Sequence, residues 1–344
     1  MDVRAPGVVK LFGEHAVVYG KLAVAAAISL YSKASVRQTD SEKLSIILSD
    51  FNSFRYEFSN SELVALYREY MSNDDINAYT SAHIKIAEAL PYATIAGALI
   101  SEYDSIATGR EVTISSEVPM QHGLASSSSC STAFAVALLK ANNEVLNSDK
   151  AIELARVGDI IVHKNRNAGR IDISTSYYGG IVSYSGKSGS VHESAKMDKA
   201  LLIIDTGAKK PTSEMVAHVA NQYKQNKQHI ETILNQINEC SVSGLNALKE
   251  RDIDEVAKQM FKNHELLKEL GVSTEKLDKV VELAKDNNAY GAKLSGGGGG
   301  GIAIAIAEAD IVSKLNAIFT GHDFGVMISS VEANGAMQYN ARFQ

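Results

Sequence analysis

Three stretches of this 344-residue chain combine residue types and spacings that could do chemistry. The first, Val118 to Thr132, reads VPMQHGLASSSSCST: a β-prone run ends at Pro119, Gly123 opens a serine-rich turn, and helix-forming apolar residues follow from Ala133. Strand, small-residue loop and helix in that order aim free backbone N–H groups and the positive end of a helix dipole at one point, where an anion such as phosphate fits. The hydroxyls of Ser126 to Ser129 could bond phosphate oxygens or a Mg²⁺ ion. The plain alternative is a serine-capped core helix, because Ser is a common N-cap. The second stretch is Lys293-Leu-Ser followed by glycine from Gly296 to Gly301. Such a run loses much backbone entropy on folding and stabilises no helix or strand, so it suits a place where backbone must approach something closely. Its flanks, AYGAKL and IAIAIA, read as apolar strands, which favours a tight loop over a flexible linker. The third is Arg170-Ile-Asp172 before Ser-Thr-Ser-Tyr-Tyr-Gly-Gly. An aspartate in a loop there is placed to take a proton from a substrate hydroxyl or to orient it; an N-cap or turn aspartate reads the same way.

The elements around these stretches mix strands and helices in both halves. Residues 2–12 read as a strand with a Pro-Gly interruption, Ala23 to Tyr31 continues apolar, and Lys43 to Ser49 alternates like a strand. Ser61 to Tyr70 and Tyr79 to Ser101 have helical spacing, and further helices are expected near 132–141 and 148–164. A strand at Ile181–Tyr184 leads into a Gly/Ser/Lys-rich turn region, Ser185–Lys196, which marks a candidate boundary between lobes at 1–186 and 187–344. Beyond it come a strand at Ala200–Asp205, a strongly helical region from Ser213 to Asn287, and strands at Gly291–Leu294 and Ile302–Ile306. A helix from Ala309 and strands near 325–330 and 336–342 complete the chain. The fold class is α+β, two lobes with a cleft between them.

Composition narrows the function. With 45% hydrophobic residues the chain can build sizeable cores, and no apolar run approaches membrane-spanning length or a signal peptide. A net charge of −6 argues against a general nucleic-acid or membrane-surface binder. Two cysteines, Cys130 and Cys240, make neither a disulfide framework nor a zinc site, so a reducing cytoplasm is the expected compartment. Oligomeric state is left open, a homodimer included.

Further motifs join the three stretches: Ala5-Pro-Gly, Leu11-Phe-Gly-Glu-His-Ala-Val-Val-Tyr-Gly, Asp205-Thr-Gly and Gly291-Ala-Lys-Leu-Ser-Gly. In this order across nearly the whole chain, they resemble the superfamily of galactokinase, homoserine kinase, mevalonate kinase and phosphomevalonate kinase, and within it the mevalonate kinases. The resemblance implies a two-lobed small-molecule kinase that uses ATP and Mg²⁺ to phosphorylate the hydroxyl of mevalonate in isoprenoid precursor synthesis. It implies that Gly123, Leu124, Ala125, Ser126, Ser127 and Ser128 wrap the ATP phosphates, with Ser127 near the Mg²⁺ ion. Gly296, Gly297 and Gly298 would close the phosphate and substrate site, Glu14, His15 and Thr206 would lie at the acceptor pocket, and Asp172 would act on the acceptor hydroxyl. Phosphoryl transfer asks for positioning and charge neutralisation, which backbone N–H groups and a metal ion supply.

Three positions depart from that pattern. The lysine expected directly after Ala-Pro-Gly is Val8, and Lys10, on the same face of a strand, is the substitute. The metal-binding glutamate expected eleven residues before Asp172 is Ile161, and Asp159 is the nearest carboxylate. Gln121-His122 replaces small residues before Gly123. Basic residues near the expected acceptor pocket, Lys209, Lys210 and Arg170, raise the alternative of a kinase for an already phosphorylated mevalonate, and the departures at Val8 and Ile161 raise that of a non-catalytic metabolite-binding relative.

Overall fold

The structure is a computed structural model of residues 1–344 and describes all of them except 51–52, 145–146, 167–169, 208–209, 333 and 340–344. Two sheets organise it among the described residues. The first contains β1 (Asp2–Phe12), β2 (Ala23–Gln38), β3 (Leu44–Leu48), β4 (Phe54–Phe58), β5 (Arg110–Ser116), β6 (Ile181–Ser185) and β7 (Gly189–Glu193). The second contains β8 (Ala200–Asp205), β9 (Gly291–Ser295), β10 (Ile302–Ala307) and β11 (Gly325–Ser329) in the order β11-β8-β10-β9. The last strand, β12 (Met337–Tyr339), returns to the first sheet and pairs antiparallel with β1. Residues 185–196, expected as a turn region between lobes, instead hold β7, which makes a hairpin with β6. Strand pairing thus assigns 189–193 and 337–339 to the first sheet, although both lie beyond residue 186 in the chain.

Helices cover the sheets. On the first lobe these are α1 (Asn60–Ser72), α2 (Ile76–Ala82), α3 (Leu90–Tyr103), α4 (Ser126–Ala141), α5 (Ser148–His163) and α6 (Ile171–Tyr178). The stretch 79–101 is therefore not one helix: it breaks near His83, and Pro91 starts α3 in its first turn, where a missing N–H costs nothing. On the second lobe lie α7 (Thr212–Gln225), α8 (Lys227–Glu250), α9 (Ile253–Glu269), α10 (Glu275–Asp286) and α11 (Val312–Gly321). Among the described residues no helix is long and apolar enough to cross a membrane.

β1 and β2 belong to two cores, which is what joins the lobes. Val3, Ala5, Ala34 and Val36 pack with α1 and α3–α5, whereas Val9, Leu11, Phe12, Val24 and Ile28 pack with α8, α9 and the second sheet. The β1–β2 register shifts at Pro6/Gly7, where proline has no N–H for the ladder, and again at Lys10/Phe12. Gly7 lies beneath the loop that precedes α4: a Cβ there would stand 3.1 Å from the Leu124 carbonyl, and Val8 N–H donates to that carbonyl at 2.9 Å. β1 is thus the floor on which the first chemical stretch rests.

Candidate active site

The serine-rich stretch is helical from its first serine, six residues earlier than expected. The residue capping α4 is Ala125, at φ 57° and with no side-chain cap, so no serine caps this helix. Gln121, Gly123 and Ala125 all have positive φ, and a non-glycine residue there is a strained conformation that the surrounding packing must hold. Buried Leu124 anchors the loop. The consequence is that the capping residue offers no side-chain bond to the N–H groups of the first turn of α4, which have the helix dipole behind them.

The serines divide into two sets. Ser126 and Ser129 turn inward: the Ser129 hydroxyl bonds the Ser126 carbonyl (3.0 Å) and the Ser32 hydroxyl (2.6 Å). Ser127 and Ser128 instead donate to one oxygen of Asp159, at 3.0 and 2.8 Å. That carboxylate is buried on α5. Burial pushes its pKa up, but the hydrogen bond and charge of His163 and the two serine hydroxyls outweigh this and hold it below the ordinary range. His163, which closes α5, sets its Nε2 3.1 Å from the Ser127 hydroxyl and 3.5 Å from Asp159. Ile161 is elsewhere, packed in the first-lobe core.

Asp172 is not in a loop. It sits in the first turn of α6, whose capping residue Arg170 offers no side-chain bond, so the helix dipole favours its negative charge. The Lys10 ammonium is in direct contact with its carboxylate, and the two charges also act on His163. Val8 packs with Ile171 just beside this pair. Arg170 turns away, to Glu153 at 2.6 Å.

Across from this pair, the turn after β1 is tied to the glycine loop. Glu14 forms a fully buried ion pair with Lys293, whose ammonium also donates to the Leu294 carbonyl at 2.6 Å. Burial lowers the lysine's pKa and the glutamate opposes that. His15, at φ 59°, places Nε2 2.9 Å from the Gly297 carbonyl, and burial pushes its own pKa down. The glycine run is close to protein: a Cβ on Gly298 would stand 2.1 Å from the Val272 carbonyl, and one on Gly297 2.9 Å from Thr212. Gly296, by contrast, has nothing within 4 Å of such a Cβ. Thr206 is buried with its hydroxyl on the Gly301 carbonyl (2.7 Å), at one wall of a cleft of about 360 Å³ lined by Thr206, Thr274, Glu275, Lys276, Gly299 and Gly300. Lys210 is exposed and pairs with Glu214 at 3.2 Å; Lys209 lies outside the described residues. His122 pairs with Asp205 at 3.0 Å.

The structure therefore brings Lys10, Asp172, Ser127, Ser128 and Asp159 into one neighbourhood and leaves Arg170 and Lys210 in ion pairs of their own. Sequence reasoning missed Lys293 and His163. A lysine inside an apolar strand was the available signal for the first; for the second it was only the four-residue spacing from Asp159. Among the described residues no group of three or more His, Cys, Asp or Glu converges as a protein-only metal site.

Two family models match the chain, the GHMP kinases N terminal domain over residues 85–180 and the GHMP kinases C terminal over 245–320. The chain is 32% identical to the mevalonate kinase of Pyrococcus furiosus over 85% of its length and 84% of that protein. It is 30% identical to the Methanocaldococcus jannaschii mevalonate kinase, covering 92% and 96% of the two. The solved structure of the Methanococcus jannaschii mevalonate kinase superposes with a TM-score of 0.80 over 96% of this chain and 98% of that one. The chain belongs to the GHMP kinase family, on its mevalonate kinase branch.

Proposed function

We propose that this protein transfers the terminal phosphoryl group of ATP to the hydroxyl of mevalonate. The observation that carries this reading is the Lys10–Asp172 pair set beside the uncapped N-terminus of α4. Phosphates resting on the first-turn N–H groups of α4 and on the loop at Gly123–Ala125 would leave the terminal phosphoryl group facing that pair. Asp172 would accept the proton of the acceptor hydroxyl, or orient it, while the Lys10 ammonium neutralises charge on the group in transfer. His15 and Gly296 line the opposite side of the acceptor position in this reading. Lys210 and Arg170, engaged by Glu214 and Glu153, give no support to a phosphorylated acceptor.

The donors at α4 fit a hard divalent cation such as Mg²⁺. Ser127 donates its hydrogen bond to Asp159 and faces His163 with one oxygen lone pair, which leaves the other for a cation, and Asp159 stays anionic although buried. One carboxylate, a hydroxyl and substrate phosphate oxygens are the usual set for Mg²⁺. When bound, the ion would screen phosphate charge; Ser127 and Asp159 are the residues that would hold it. Both cysteines are buried free thiols, which supports a reducing, cytoplasmic setting. The active cleft, in this proposal, lies between lobes that divide near residue 187, with β7 and β12 counted in the first.

The test is steady-state kinetics with Mg-ATP on mevalonate and on its phosphates, using the native protein and Asp172→Asn. Mevalonate should be consumed with matching ADP release, and the variant should lose roughly 10²–10⁴ in rate while keeping its ATP affinity. Turnover of the variant within a few-fold of native would remove Asp172 from the mechanism.

A further inference from the structure

His163 has an unusual position for a helix-terminal residue. Its side chain is 55% exposed, so packing does not account for its orientation. It nevertheless aims Nε2 at the Ser127 hydroxyl (3.1 Å) in the first turn of α4, next to the buried Asp159 carboxylate that accepts hydrogen bonds from two serine hydroxyls. The charges of Lys10 and Asp172 also act on it. The imidazole thus stands at the helix N-terminus that would hold the nucleotide phosphates, within electrostatic reach of the pair that would act on the acceptor. We propose that His163 is a phosphate-contacting residue: its Nε2–H leaves Ser127 and donates to the terminal phosphate of the bound nucleoside triphosphate. The inference rests on the nucleotide reading above and extends it to a residue outside the motifs that suggested it.

The contact is to the terminal phosphate because that group would face the Lys10–Asp172 pair, whose charges act on His163, while the first turn of α4 would hold the phosphates behind it. A hydrogen bond to a charged group is worth about ten- to hundred-fold in affinity. The experiment is calorimetry of ATP and of ADP, without divalent metal or acceptor, on the native protein, His163→Phe and His163→Gln. The phenylalanine keeps the ring and removes the donor; the glutamine restores an N–H at similar reach. Expected is ATP binding weaker by about tenfold or more in His163→Phe, ADP binding unchanged, and partial recovery in His163→Gln. Equal losses for ATP and ADP, or no loss for either, would overturn the proposal and leave the nucleotide reading standing. Absence of ATP binding to the native protein would overturn both. A partial loss of kcat without a change in ATP affinity would likewise exclude a ground-state contact to the terminal phosphate.

Discussion

Lys293→Met removes the cation from the most deeply buried ion pair of the site while keeping the length and apolar bulk of the stem. In the native protein neither partner reaches solvent, and the ammonium satisfies both the Glu14 carboxylate and the Leu294 carbonyl. The other oxygen of Glu14 has no hydrogen-bond partner among the described residues, so no second donor stands by to replace the lysine. Removing one member of a buried pair costs about 3–5 kcal/mol. The stranded carboxylate can escape by taking a proton, which for an ordinary glutamate costs about 3.7 kcal/mol at pH 7, from ~2.7 pH units at ~1.36 kcal/mol each. Adding about 1 kcal/mol for the hydrogen bond lost by Leu294 gives a destabilisation of about 4–5 kcal/mol at pH 7. The sign of its pH dependence follows: the folded variant binds a proton that the unfolded chain does not, so its stability rises as pH falls. The deficit should shrink by about 1.4 kcal/mol per unit between pH 7 and 5.5. Glu14→Gln with Lys293→Met removes both charges and should recover most of the loss. Urea denaturation of the native, single and double variants at the two pH values reads all of this. A deficit at pH 7 below about 1 kcal/mol, a deficit independent of pH, or a double variant no better than the single would refute the reasoning.

Gly298→Ala and Gly296→Ala should part company although the two residues are neighbours in one run. A Cβ at Gly298 meets the Val272 carbonyl at 2.1 Å and should lower the melting temperature sharply, whereas Gly296, open on that side, should show only the strain of its φ of 90°, about 1–2 kcal/mol; thermal melts with equal losses would contradict this. His264 gives a pH prediction. Burial lowers its pKa, and its Nδ1 accepts from the Leu294 N–H at 3.3 Å, so the stability it contributes is present above the ordinary histidine range and lost as pH falls through about 6.5. The melting temperature of native protein should therefore fall more steeply from pH 7.5 to 5.5 than that of His264→Gln, and parallel curves would exclude the histidine as the cause.

What the sequence determined by itself was local and compositional. The serine-rich run, the glycine run, Gly-Glu-His and Asp172 are legible because each is a few adjacent residues whose backbone needs or side-chain chemistry are written in their types. The strand-and-helix mixture of both halves was legible for the same reason, since hydrophobic period reports on one element at a time. Rotational phase was not. On a helix, Asp159 and Ile161 stand about 200° apart, so counting back from Asp172 cannot say which of them faces α4; packing of α5 against α4 turns Asp159 to Ser127 and Ile161 to the core. Nor could chain order show that β12 returns to β1, or that the cation for Glu14 is Lys293, 279 residues away. The glycine run illustrates the division well. Its composition announces a close approach, but only the tertiary structure identifies the neighbour, which is the backbone of Val272 and the side chain of Thr212 at two of its positions. Long-range pairing is decided by which buried surfaces and charges must be satisfied together, and that condition has no imprint on any single stretch of chain.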